Sequence, residues 1–138
     1  MARILVIDGD RLVRETVGAM LAAGGHETVL AGGPADGVRH FRDRRFDLVI
    51  CDLFMPTMER GFEAIAALRA ISATTPIISM TGGASIADGK ILGAEPLLEL
   101  RPLHLIGKPF RMQELLAMVQ NCLGSMAVSF ATLQAMWA

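Results

Sequence analysis

The chain has 138 residues, 13 basic and 14 acidic side chains, a net charge of −1 and 52% hydrophobic residues. This suits one domain with an ordinary core and leaves no length for two. Near-neutral charge argues against a direct nucleic-acid partner, because backbone binding needs Lys and Arg in clear excess on one face. Cys51 and Cys122 lie far apart, without CxxC spacing or neighbouring ligands, so neither a zinc site nor a disulfide scaffold is expected. No signal-peptide pattern follows Met1-Ala2-Arg3, and the expected location is the cytoplasm.

In chain order, Arg3 to Asp8 is an apolar run ending on an acid and reads as a strand. Arg11 to Ala23 reads as a helix with Leu12, Thr16, Met20 and Ala23 on one face, ended by Gly24-Gly25. Thr28 to Ala31 is a short strand, Gly32-Gly33-Pro34 a turn, and Ala35 to Arg44 a helix from the spacing of Val38, Phe41 and Arg42, with a basic end. Phe46 to Asp52 is the clearest buried strand; Phe62 to Ile71, with Phe62, Ile65, Ala66 and Leu68 apolar, is a helix. Pro76 to Thr81 is a further buried strand. From Gly82 to Pro102 repeated Gly and Pro predict an irregular loop, then a short helix near Ala94 to Leu100. Leu103 to Ile106 completes the strands, and Arg111 to Leu123 is the last helix. Strands alternating with helices predict an α/β fold, an open, doubly wound sheet of five parallel strands covered on both faces.

From Leu115 to Ala138 there is no charged residue. Gln120, Asn121, Gly124, Ser125, Ser129, Thr132 and Gln134 interrupt the apolar run, so a membrane span is not expected. Leu116, Val119, Leu123, Met126, Phe130, Leu133 and Trp137 recur at alternating steps of three and four, which keeps them on one helical stripe. The expected organisation is a domain over residues 1–123 and an apolar helical extension or tail over 124–138. Beyond Leu123 the stripe offers a surface for a homodimer or a partner helix, with Gly124-Ser125 as the point where a helix would otherwise stop.

In parallel sheets ligands gather beyond the carboxyl ends of the strands. Asp8, Asp52 and Thr81 end three of the predicted strands, and Lys108 follows the last. Any one alone is simply a solvated strand end. Two carboxylates, a hydroxyl and an ammonium converging on one edge instead require mutual pairing or a cation.

These residues sit in recognisable segments: Ile4-Leu5-Val6-Ile7-Asp8 with acid again at Asp10, Asp52-Leu53-Phe54-Met55-Pro56, Pro76-Ile77-Ile78-Ser79-Met80-Thr81-Gly82, and Lys108-Pro109-Phe110. Together and in this order they resemble a response-regulator receiver domain, from about Arg3 to Leu123. The resemblance implies a flavodoxin-like sheet in the order 2-1-3-4-5. It implies that Asp52 accepts a phosphoryl group from a phosphohistidine on a sensor histidine kinase or phosphotransfer protein, and that Lys108 and Thr81 contact that group. It further implies Mg²⁺ held by Asp8, Asp10, Asp52 and the Phe54 carbonyl, no enzymatic activity beyond phosphotransfer to itself and autodephosphorylation, and output through a downstream protein target.

Three positions depart from the family pattern. Gly9 stands where a second, metal-binding acid is usual, so Mg²⁺ affinity is expected to be lower and Asp10 or Asp8 to compensate. Arg60 is inserted in Met58-Glu59-Arg60-Gly61 and is expected to lengthen the loop beside the site. Leu105 replaces the aromatic residue that often couples to the threonine. His26, His40 and His104 read as structural or exposed histidines. Two other functions stay open on the residues alone: a receiver-like binding module that is not phosphorylated, and a phosphatase resembling the haloacid dehalogenases, in which Asp8 is nucleophile and Asp10 acid/base. An FMN site is disfavoured, because Asp8 and Asp10 would repel its phosphate.

Overall fold

The computed structural model describes residues 1–82, 86–87, 90–91, 100 and 103–137. The elements are β1 (Arg3–Ile7), α1 (Arg11–Ala23), β2 (Glu27–Ala31), α2 (Pro34–Asp43), β3 (Leu48–Asp52), α3 (Met58–Ile71), β4 (Ile77–Gly82), the two short strands β5 (Ile86–Ala87) and β6 (Lys90–Ile91), then β7 (Leu103–Lys108) and α4 (Met112–Trp137). Five strands form one parallel sheet in the order β2-β1-β3-β4-β7. This is the predicted 2-1-3-4-5 arrangement, with β7 as its fifth strand.

Alternation along each strand divides the core into two layers. Leu5, Ile7, Val49 and Ile77 face Phe41 of α2 and Ile65 and Leu68 of α3. Ile4, Val6, Ile50 and Ile78 face Val17 and Leu21 of α1 and Leu115 and Val119 of α4. Fully burying such a side chain contributes about 1.5–3 kcal/mol. A strand with both faces covered therefore reads as an unbroken apolar run.

Several boundaries and faces correct the sequence expectation. The inward face of α1 is Val17, Gly18 and Leu21, not the Leu12–Thr16 face; Leu12 is 74% exposed. Ala66 of α3 is exposed, and Ala64, Ile65 and Leu68 are buried. Helix α3 begins at Met58, four residues before Phe62, because the Thr57 hydroxyl accepts from the Arg60 amide at 3.2 Å and caps the helix. Glu59 and Arg60 thus belong to the first turn of α3 and do not lengthen a loop. The antiparallel pair β5–β6 lies where only an irregular loop is expected; Asp88-Gly89, a hairpin signal, separates the two strands in the sequence. The helix expected near Ala94 to Leu100 falls, Leu100 apart, outside the described residues. Helix α4 continues through Gly124 to Trp137. Among the described residues no helix is long and apolar enough to cross a membrane.

At the opposite edge of the sheet from the acids, the Ala2 amide donates to His26 Nδ1 at 3.1 Å. Burial, and secondarily the N-terminal ammonium, lowers the His26 pKa. The folded state therefore binds fewer protons than the unfolded chain, and His26 contributes stability that is present above about pH 6.5 and lost as pH falls through its lowered folded value. Thermal unfolding near pH 7.5 and near pH 5.5 should show a smaller difference in His26→Asn than in the wild type. An equal difference in both proteins would rule out this contribution.

Candidate functional site

The carboxyl ends of β1 and β3 are adjacent in the sheet, and their terminal acids meet the lysine that ends β7. Lys108 Nζ lies 3.2 Å from Asp8 Oδ2 and 3.5 Å from Asp52 Oδ1. Asp8 is 1% exposed, and its Oδ1 accepts the Asp10 amide at 2.8 Å. Asp52 Oδ1 accepts the Phe54 amide at 3.3 Å. One ammonium thus serves two carboxylates, which leaves the cluster short of positive charge. Burial first and the Asp8 charge second push the Asp52 pKa up, opposed by Lys108 and the Phe54 amide. Behind the acids, burial pushes the Cys51 thiol far up, so it is no nucleophile at neutral pH.

Two expected site residues are turned elsewhere. Asp10, expected among the metal ligands, caps α1: its Oδ1 accepts the amides of Leu12 at 2.9 Å and Val13 at 3.3 Å. The unpaired amides of a helix start hold a carboxylate well, and Asp10 reaches the cluster only through its backbone N–H to Asp8. Thr81 is buried, and its hydroxyl donates to the Ile106 carbonyl at 3.4 Å. Among the described residues no group of three or more His, Cys, Asp and Glu is preformed to hold a metal. The donor set nonetheless suits a hard divalent cation, since two carboxylates and one ammonium leave net negative charge beside the Phe54 backbone. Phe54 itself is 62% exposed and Leu105 37% exposed. Sequence reading did not anticipate Arg14, whose guanidinium donates to the Asp8 and Gly9 carbonyls at 3.3 and 3.4 Å and braces the Gly9 loop.

The response regulator receiver domain family matches residues 4–120, which spans the whole cluster. The chain belongs to that family. Among its relatives, response regulator MprA of Mycobacterium sp. (strain KMS) is 32% identical over 124 residues, covering 88% of this chain and 50% of that protein. The DNA-binding transcriptional regulator NtrC of Azospirillum brasilense is 32% identical over 124 residues, covering 90% of this chain and 24% of that protein. The receiver domain thus spans about half, or a quarter, of the curated relatives it matches. A crystal structure of the chemotaxis protein CheY4 of Vibrio cholerae superposes with a TM-score of 0.77 at 27% identity, covering 88% of this chain and 98% of that one. Receiver domains are signalling modules of two-component systems, generally Mg²⁺-dependent and not enzymes in their own right. Family membership sets aside the phosphatase reading, and so does the geometry: Asp10, its acid/base, is spent on the α1 cap.

Proposed function

We propose that Asp52 is the phosphoacceptor of this receiver domain, taking a phosphoryl group from a phosphohistidine on a sensor histidine kinase or phosphotransfer protein. The observation that carries this reading is the pairing of Lys108 with both Asp8 and Asp52 at the strand ends. An Asp52 oxygen forms the new bond to phosphorus while the P–N bond breaks and its electron pair returns to the imidazole. Lys108, held between two acids, is placed to pair with phosphoryl oxygens as they arrive. Thr81 would give up the Ile106 carbonyl to donate its hydroxyl to the same group.

Asp8, Asp52 and the Phe54 carbonyl are the groups that would hold Mg²⁺, with Asp10 orienting Asp8 through its amide. The ion supplies neutralisation of phosphoryl charge. The test is Mg²⁺-dependent labelling by a small phosphodonor, with the site located by mass spectrometry. Gly9→Asp should tighten Mg²⁺ binding and speed labelling, because among the described residues a Cβ at Gly9 meets only the Gly32 carbonyl oxygen, at 3.9 Å. Equal Mg²⁺ affinity in wild type and variant would refute the idea that Gly9 costs a ligand. Absence of both binding and labelling in the wild type would favour the unphosphorylated binding module.

The reading extends to a cytoplasmic protein that signals by protein contact, with residues 1–123 as receiver domain and 124–138 as an extension for self-association. The continuous α4 and the charge-free sequence from Leu115 support the last point. A two-fold interface sets a stripe against itself, and a stripe without charges meets no like-charge repulsion there. The intact chain should sediment as a dimer and Phe130→Glu as a monomer. A monomeric wild type would remove self-association.

A further inference from the structure

Arg14 stands near the amino end of α1, where the helix dipole disfavours a cation. Among the described residues no acid forms an ion pair with it. Asp10, four residues before it, is spent on the amides of Leu12 and Val13. Neither helix electrostatics nor an ion pair therefore accounts for a half-buried guanidinium at this position.

What holds it there is a pair of carbonyls. Arg14 Nη1 lies 3.3 Å from the Asp8 oxygen and 3.4 Å from the Gly9 oxygen, and so grips both peptide units that flank Gly9. The Gly9 carbonyl and the Asp10 N–H are opposite ends of one planar, trans peptide unit. Arg14 holds the oxygen end, while the nitrogen end donates to Asp8 Oδ1 at 2.8 Å. On its other side the guanidinium lies against Gly32, where a Cβ would sit 3.5 Å from Nη1. The grip matters because the residue between the two peptides is glycine, which has more backbone freedom to lose than any other residue.

We infer that Arg14 is a positioning residue for a divalent cation: by fixing the Gly9–Asp10 peptide it keeps the Asp10 N–H on Oδ1 and so sets the plane of the Asp8 carboxylate. This rests on the reading of Asp8 as a Mg²⁺ donor. Charge and geometry here predict opposite signs. A guanidinium beside the site repels Mg²⁺, so its removal would tighten binding if only its charge mattered. Loss of the grip weakens binding instead, because fewer chains hold Asp8 ready. Added salt screens the first effect and leaves the second.

The test is an NMR titration of the full chain with Mg²⁺, comparing wild type, Arg14→Met, Gly9→Ala and the double variant. Methionine keeps an apolar stem on the helix but donates no hydrogen bond. Arg14→Met should bind Mg²⁺ about fivefold more weakly. The backbone at Gly9 is not left-handed, and among the described residues a Cβ there meets only the Gly32 carbonyl oxygen, so alanine fits the same turn. By removing backbone freedom, Gly9→Ala should shrink the cost of Arg14→Met to about twofold. Without metal, exchange of the Asp10 amide hydrogen should quicken about fivefold in Arg14→Met and less in the double variant. The inference is overturned if Arg14→Met binds Mg²⁺ as well as wild type or better, if Asp10 exchange is unchanged, or if the cost is the same in the Gly9→Ala background. Each of these results leaves Asp52 as phosphoacceptor wherever the wild type binds Mg²⁺ and labels there. A wild type that binds no Mg²⁺ and takes up no phosphate overturns both readings.

Discussion

Incubated with Mg²⁺ and a small phosphodonor, the wild-type chain is expected to take up one phosphate, on Asp52, and Asp52→Asn is expected to take up none. The two acids at the site differ in what already occupies them. Asp8 is almost wholly buried and accepts both the Asp10 amide and the shorter of the two Lys108 contacts. Asp52 keeps the longer Lys108 contact and the longer amide bond, 3.3 Å from Phe54, and stands at the end of β3, next to the exposed Phe54. Asparagine preserves the shape of the side chain but removes the nucleophilic carboxylate, so loss of labelling in that variant reports chemistry and not misfolding. Asp8→Asn should still label on Asp52, more slowly, because a Mg²⁺ donor is lost while the nucleophile remains. Labelling that survives Asp52→Asn would assign the phosphate elsewhere and sink the reading.

Gly61→Ala should destabilise the fold by about 3 kcal/mol, the largest effect expected of a methyl group added at any of the described glycines. A Cβ built at Gly61 falls well inside van der Waals contact of the Leu53 carbonyl, and the obstacle is backbone, which cannot swing aside as a side chain can. Either α3 must rise off the sheet, exposing Ile65 and Leu68, or the Leu53 peptide must move. The second response displaces the segment between Asp52 and Phe54, so labelling should fall as well, even where the variant is folded. Gly124→Ala supplies the contrast, since among the described residues nothing lies within 4 Å of a Cβ there and the helix is continuous through it. That change should stabilise by about 0.5–1 kcal/mol. Urea unfolding of the two variants reads both signs, and an unchanged midpoint in Gly61→Ala would show that α3 slides freely on the β3–α3 loop.

Residue order by itself determined the sheet. Apolar runs such as Ile4-Leu5-Val6-Ile7 and Leu48-Val49-Ile50-Cys51 are legible because a strand buried on both faces needs an apolar residue at every step. The same reading placed Asp8, Asp52, Thr81 and Lys108 at the strand ends, since the end of an apolar run marks its exit from the core. It erred where two local patterns compete. On α1 the Leu12–Thr16–Met20 and Val13–Val17–Leu21 rows are both helical rows, and only packing against Val6 and Leu115 selects the second. At α3 a Thr57 cap starts the helix early, although an inserted Arg60 reads as loop. The orientation of the polar groups belonged to tertiary structure altogether. Asp10 is spent on the helix amides that follow it and Thr81 on a carbonyl of β7, a strand 25 residues away along the chain. Lys108 reaches Asp8 across 100 residues. Sequence spacing orders the elements, but which oxygen a buried hydroxyl or ammonium finds depends on neighbours that only the folded sheet brings within hydrogen-bonding distance.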